Sequence, residues 1–451
     1  MSGFLIISDR LMYASLLAMV FFLPFSFAMI EACQVTMIIA WVSKCVVLYM
    51  SKRSKAFQDR SVTFFSSSIG ASLTAIALLI LLTIPFSHDP SLSIKKFFSR
   101  FLQQVLLMCF VTQCINTRKR LYCVLSALLL MLFFITVDVG FQYFGGVSLV
   151  HHKPLIFGRV SGSLNHPNDL GTLLVTVLPV VLVLMITYRS WIPLLLGCSK
   201  LKGRKASWIG MVIISILFFL LLNALGLTAS RGAWVAFAIS IITLGFCLKR
   251  QKVTILIILI LTLFFGVFGM HCLSTRIDMY KHRPVFTDSI SNPLGLPAGY
   301  NVFAVLLGPS GREFYWGTAV SVIKHFPLFG CGYSAYVQTL RDLRVGHEEY
   351  PHNSFLHITA ELGFAGLILY GWFFTTLFFQ MKNILKFTSS ERDLFLLGCG
   401  VSTGILAWFI HSLMDTAWAS YQLSVLWWLF IGILLSLKAQ LSNQKIPLGK
   451  D

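Results

Sequence analysis

Runs of about twenty apolar residues recur along this chain and constrain its fold more than any other feature. A bilayer core about 30 Å thick is crossed by roughly twenty helical residues, because a helix bonds its own backbone N–H and C=O groups. Segments such as "ASLTAIALLILLTIPF", "CVLSALLLMLFFITVDVGF" and "YQLSVLWWLFIGILLSL" are of this kind. Twelve candidate spans centre near residues 20, 41, 78, 108, 132, 179, 217, 240, 262, 370, 403 and 428. Only 12% of the residues are charged, against roughly 25% in a soluble domain. The expected fold is an all-α polytopic membrane protein of about twelve transmembrane helices. The first span, about Leu11 to Ile30, is too long and too weakly basic at its front for a cleaved signal peptide, so it is expected to stay in the mature chain.

The net charge of +19 raises the question of nucleic acid, and topology answers it first. With the N-terminus inside, the cytoplasmic segments are "SKRSKAFQDR", "NTRKR", "RSWIPLLLGCSKLKGRK", "LKRQK", "KNILKFTSSER" and the tail, which together with Arg10 hold 22 of the 36 Lys and Arg residues. That is the positive-inside pattern, with both termini cytoplasmic and no nucleic-acid partner implied. The ten cysteines form no CxxC pair, so neither a zinc site nor a disulfide framework is indicated; Cys272 and Cys331 are the two placed toward an oxidising side.

All eleven histidines fall in or beside the opposite, outer segments. Histidine exchanges protons near neutral pH, so this one-sidedness points to chemistry on the outer face, although outer loops also collect polar residues generally. The longest outer segment, about Leu273 to Pro351, is the one loop large enough to cap a site. The chain therefore divides into membrane helices over 1–272, a large outer loop over 273–352, and further helices with a cytoplasmic tail over 353–451. Arg312 to Ile323 predicts a short surface helix over the bundle mouth, ending before Pro327.

Three arginines stand at outer positions: Arg231 in "LTASRGAWVAFA", Arg312 at the start of the surface helix, and Arg159 in "FGRVSGSLNHPNDLG". An arginine at a span boundary also snorkels to water or head groups, and one in a loop is also simply solvated. Arginines converging with a histidine suit a diphosphate, because the planar guanidinium binds phosphate oxygens bidentately and keeps its charge. They would neutralise a departing diphosphate while the histidine takes a proton from an attacking hydroxyl. The sequence has neither a phosphate-cradling glycine loop nor an acidic cluster for a divalent ion, so a transfer without metal or other cofactor is expected.

The opening of the tenth span, "YPHNSFLHITAELGFAG", places His352 at the membrane edge. Asn353 either positions it or caps the helix. His357 and Glu361 lie on other faces and are expected to pack within the bundle. His411 and Asp415, four apart, are expected to share a helix face and either orient each other under the site or tie helices together. Asn168, with His166 and Asp169, either belongs to the site or caps the sixth span.

These residues resemble the O-antigen ligase and Wzy-type polymerase superfamily of membrane glycan transferases. His352 and Asn353, nine residues, Gly363, two residues and Gly366 are similar to the ligase motif. "SRGAW" resembles the family arginine before the eighth span, "REFYWGTAVSVIKHFPLFGCGYSAY" its arginine-led loop helix with Pro327, Gly330 and Gly332, and "GSLNHPNDLG" its Asn and Pro signature. The resemblance covers about Arg159 to Asp415. It implies a GT-C-like architecture with a periplasmic catalytic loop in the bacterial inner membrane. It also implies an undecaprenyl diphosphate-linked glycan donor, with Arg231 and Arg312 on the diphosphate, His352 activating the acceptor hydroxyl, and inversion in one displacement. The acceptor would be lipid A core for a ligase, another lipid-linked glycan for a polymerase, or protein in related enzymes. The basic outer surface favours phosphorylated lipid A core. A lipid-linked glycan transporter is the non-enzyme alternative, but its polar sites would lie near the bilayer midplane rather than along one edge.

Overall fold

In the computed structural model, described for residues 2–50, 67–196, 204–248, 312–344 and 348–442 and at isolated positions from 260 to 268, the apolar runs are helical. In chain order the helices are α1 (Ser2–Phe22), α2 (Phe27–Met50), α3 (Ser68–Thr83), α4 (Pro90–Lys96), α5 (Gln103–Cys114), α6 (Arg118–Gly145), α7 (Pro167–Leu196), α8 (Arg204–Leu227), α9 (Arg231–Leu248), α10 (Arg312–His325), α11 (Tyr336–Asp342), α12 (Ser354–Thr388), α13 (Arg392–Ser412) and α14 (Tyr421–Ser442). Among the described residues ten helices are long and apolar enough to cross a membrane, and backbone pairing outside helices amounts to two isolated bridges. This is an all-α, multi-pass membrane protein. Side chains mark several helix starts: Ser67 accepts from the Gly70 amide and Thr117 from the Arg120 amide.

The stretch centred near 108 departs from a simple span. A π-helical turn, Phe97–Leu102, joins α4 to α5, and Lys95, Lys96 and Arg100 occupy its approach. The apolar remainder, α5, has twelve residues, a rise of about 18 Å and too short to cross alone. The span near 262 lies largely outside the described residues. So do "SKRSKAFQDR", His271, Cys272, His282, His347 and the front of the outer loop, 273–311.

Packing sorts the helices into centre and rim. In the most apolar stretches of α7 and α14, 89% of residues are buried, and in α13 78%, whereas in α2 only 22% are. α7 and α13 lie against each other along their length. At Gly404 a Cβ would sit 2.2 Å from the Thr176 carbonyl oxygen, so only glycine lets the backbones approach this closely. The outer helices α10 and α11 sit on the start of α12 through a separate apolar cluster that includes Ala319, Val322, Tyr336, Leu340 and Ala360. α10 ends at His325, before Pro327, as the sequence predicts.

α12 is broken. Gly363 has φ 66° and ψ −168°, which interrupts the helical hydrogen-bond ladder. The freed carbonyls of Ala360 and Glu361 accept from the amides of Cys331 and Gly332 at 2.9 and 3.0 Å. The freed amides of Phe364 and Ala365 donate to the carbonyls of Pro327 and Leu328 at 2.8 and 3.2 Å. The Pro327–Gly332 turn thus replaces four lost partners, as a break within a membrane helix requires. Cβ atoms at Gly330 and Gly363 would each lie 2.2 Å from the opposing backbone.

Candidate active site

His352 precedes the cap of α12 with φ +49°, a left-handed conformation uncommon outside glycine that costs about 1–3 kcal/mol. Its neighbours hold it there. Asn353 both caps and ties: its Oδ1 accepts from the amides of Phe355 and Leu356 at 2.9 and 3.0 Å, while its Nδ2 donates to the Leu413 carbonyl at 3.1 Å. The Ser354 hydroxyl donates to the Asp415 carbonyl, also at 3.1 Å.

Asp415 is the partner of His352, with Oδ1 3.1 Å from Nδ1. The expectation that Asp415 shares a helix face with His411 fails because α13 ends at Ser412 and two tight turns redirect the chain, the Leu413 and Met414 amides donating to Ile410 and His411. Asp415 therefore leaves the α13 face and reaches across to α12. Burial alone would raise its carboxyl, but the hydrogen bond from His352, the nearby imidazoles and the Thr416 amide hold it well below the usual carboxylate range. An ionised carboxylate only accepts, so Nδ1 of His352 is the donor in this contact, and the neutral imidazole so held has the lone pair on Nε2. The His352 side chain is 29% exposed and that of Asp415 14%, an accessible base on a shielded acid.

His411 faces inward, with Nδ1 2.7 Å from the Thr172 hydroxyl, and fixes α13 to α7. Arg159 is buried: Nε donates to the Thr228 carbonyl and a terminal nitrogen to the Asn168 side chain, both at 2.7 Å. These bonds hold the turn that leads into Arg231, so Arg159 and Asn168 buttress the site. Asn168 in turn receives support from His166, whose Nδ1 accepts the Asn168 amide at 3.1 Å.

Arg231 and Arg312 are the first residues of α9 and α10. Next to Arg231, a Cβ at Gly232 would lie 3.3 Å from the His411 ring, which places the start of α9 at the outer end of α13. One turn beyond Arg312, the Tyr315 ring meets His352 edge-on, centroids 5.6 Å apart. His166 is depressed to about 4 by burial, then by the charge of Arg159, with smaller contributions from His352 and Arg312 opposed by Asp415. Groups from five chain segments thus act on one neighbourhood. Among the described residues no three His, Cys, Asp or Glu side chains converge as metal ligands. Cys331 is buried and free, and Cys272 lies outside the described residues.

His357 and Glu361 pair with each other at 3.0 Å inside the bundle, as expected for packed residues. Sequence reasoning missed the pairing of Asp415 with His352 and the break at Gly363. The glycines at 330, 332, 363 and 366 carried the signal for that break.

Residues 216–371 match the protein family described as O-Antigen ligase. The chain is 26% identical over 275 residues to the ComP-specific O-oligosaccharyltransferase of Acinetobacter baylyi (strain ATCC 33305 / BD413 / ADP1), covering 58% of this chain and 41% of that protein. It is 32% identical over 102 residues to the Exopolysaccharide production protein ExoQ of Rhizobium meliloti (strain 1021), covering 20% of this chain and 23% of the relative. The chain thus spans less than half the length of either relative. The family match takes in Arg231, Arg312 and His352, and with these two relatives it makes the chain similar to the O-antigen ligase superfamily over that stretch.

Proposed function

We propose that this protein transfers a polysaccharide from undecaprenyl diphosphate to a hydroxyl of the lipid A core, on the periplasmic face of the bacterial inner membrane, with both termini cytoplasmic. The observation that carries the reading is the His352–Asp415 pair, an accessible imidazole fixed in one tautomer by a buried carboxylate, with α10 bringing Arg312 one turn from its ring. Nε2 of His352 takes the proton of the acceptor hydroxyl, and the oxygen attacks the anomeric carbon from the side opposite the diphosphate. The carbon–oxygen bond to the diphosphate breaks and the anomeric centre inverts. Arg231 and Arg312 receive the charge that builds on the leaving group, helped by the helix N-termini on which they stand. Asp415 stabilises the imidazolium that forms. The reaction needs no metal.

The two relatives favour other acceptors by their names: an O-oligosaccharyltransferase specific for ComP uses a protein, and exopolysaccharide production fits chain growth on a lipid-linked glycan. Purified protein incubated with undecaprenyl diphosphate-linked glycan separates the three. Product on lipid A core supports the ligase. Longer lipid-linked chains from donor alone make it a polymerase, glycan on an added acceptor protein makes it a protein glycosyltransferase, and no product with any acceptor overturns glycan transfer.

A further inference from the structure

A cavity of about 260 Å3 with a mixed polar and apolar lining adjoins the site without sharing His352, Asp415 or the candidate diphosphate arginines. Tyr350, two residues before His352, and His357, five after it, both stand in its wall, and so do Trp418 and Ala419 from the loop that carries Asp415. Lys96 and Arg100 line it from the π-helical approach to α5. π-Helical turns recur at functional positions.

Its charges are unbalanced. The one carboxylate in the wall, Glu361, is engaged by His357 at 3.0 Å. Arg341 is paired with Glu348 outside the cavity. Arg100 lies over the Tyr421 ring at 4.8 Å, and its only acceptor is the neutral Ala419 carbonyl at 3.5 Å. Lys96 makes no hydrogen bond or ion pair among the described residues, and its pKa is lowered by burial and by the charges of Arg100 and Lys95, with Glu31 opposing them. Two neighbouring cations with no carboxylate hydrogen-bonded to either among the described residues, facing Tyr350, Tyr370 and Trp418, suit a ligand with a negative group and a flat, partly apolar face. The volume is just under the roughly 300–1,000 Å3 of clefts for drug-sized ligands and admits one ring rather than a chain.

We infer that this cavity is the acceptor subsite and holds a sugar ring bearing a phosphate or carboxylate group, with its hydroxyl presented to His352. The inference rests on the glycan-transfer reading for the word acceptor, while the binding itself stands apart from it. Saturation-transfer NMR on the full-length protein in detergent, with glucose 6-phosphate and glucose as probes, tests binding directly. Glucose 6-phosphate is expected to bind in preference to glucose, and Lys96→Gln to weaken it about tenfold, with Lys96→Arg retaining it. His352→Ala is expected to leave this binding intact. Equal binding of the two probes, or no change in Lys96→Gln, overturns the subsite. In the transfer assay Lys96→Gln is expected to raise KM for the acceptor and leave KM for the donor unchanged; a rise in the donor's KM instead assigns the cavity to the donor and overturns the inference. Absence of transfer to any acceptor in the wild type would defeat the proposed function while leaving the probe measurements to judge the cavity.

Discussion

His352 and Asp415 illustrate how little of a side-chain pairing sequence spacing carries. They are 63 residues apart and meet only because α13 ends three residues before the aspartate. Asp415→Asn keeps the shape and removes the charge that fixes the imidazole. It is expected to cut kcat by about 10³ to 10⁴ with donor binding retained, measured by turnover and donor titration of the purified variant. His352→Ala is expected to abolish transfer while the donor still binds. Arg231→Ala and Arg312→Ala act on the other substrate and are expected to raise the donor Kd by about tenfold or more, since each removes a charge-assisted contact; unchanged donor binding in both would refute their assignment. His166 gives a pH signature. Its folded value, about 4, lies below the ordinary 6.5, so the unfolded chain binds more protons between those limits. The stability it contributes is full above about pH 6.5 and falls as pH drops toward 4. Thermal unfolding in detergent is expected to follow that slope, and His166→Gln to flatten it.

At the scale of elements, α12 is the decisive piece. Its residues read as one long span opened by an asparagine cap, and the cap is there. The break is not visible in hydropathy, because "ELGFAGLILYGW" stays apolar straight through Gly363. It exists because the Pro327–Gly332 turn supplies substitute hydrogen bonds from a distant part of the chain. Gly363→Ala would push a Cβ to 2.2 Å from the Leu328 carbonyl at positive φ, and is expected to lower stability by about 1–3 kcal/mol and impair transfer. Gly371→Ala in the same helix meets nothing within 4 Å and is expected to be neutral or slightly stabilising, which separates the break from helix propensity. Comparing the two melting temperatures checks this.

Across the whole molecule, the one-sidedness of the histidines has a counterpart in the fold, since His166, His352 and His411 lie close enough to act on the same carboxylate and on one another. Among the described residues no three His, Cys, Asp or Glu side chains converge as metal ligands, and EDTA is expected to leave transfer unchanged; activity lost to chelation and restored by a divalent ion would contradict this. The sequence by itself determined that the chain is helical and membrane-embedded, and it marked His352, Arg231 and Arg312 as the candidates for chemistry. Hydropathy, charge asymmetry and short motifs are local properties, readable without knowing what lies opposite. Only the tertiary structure decided that Asp415 serves His352, that Arg159 and Asn168 buttress the turn before Arg231, and that a glycine break seats the loop on α12. Those outcomes depend on which helices approach closely and where each one stops. Both are set by packing between segments far apart in the chain, which no local pattern encodes.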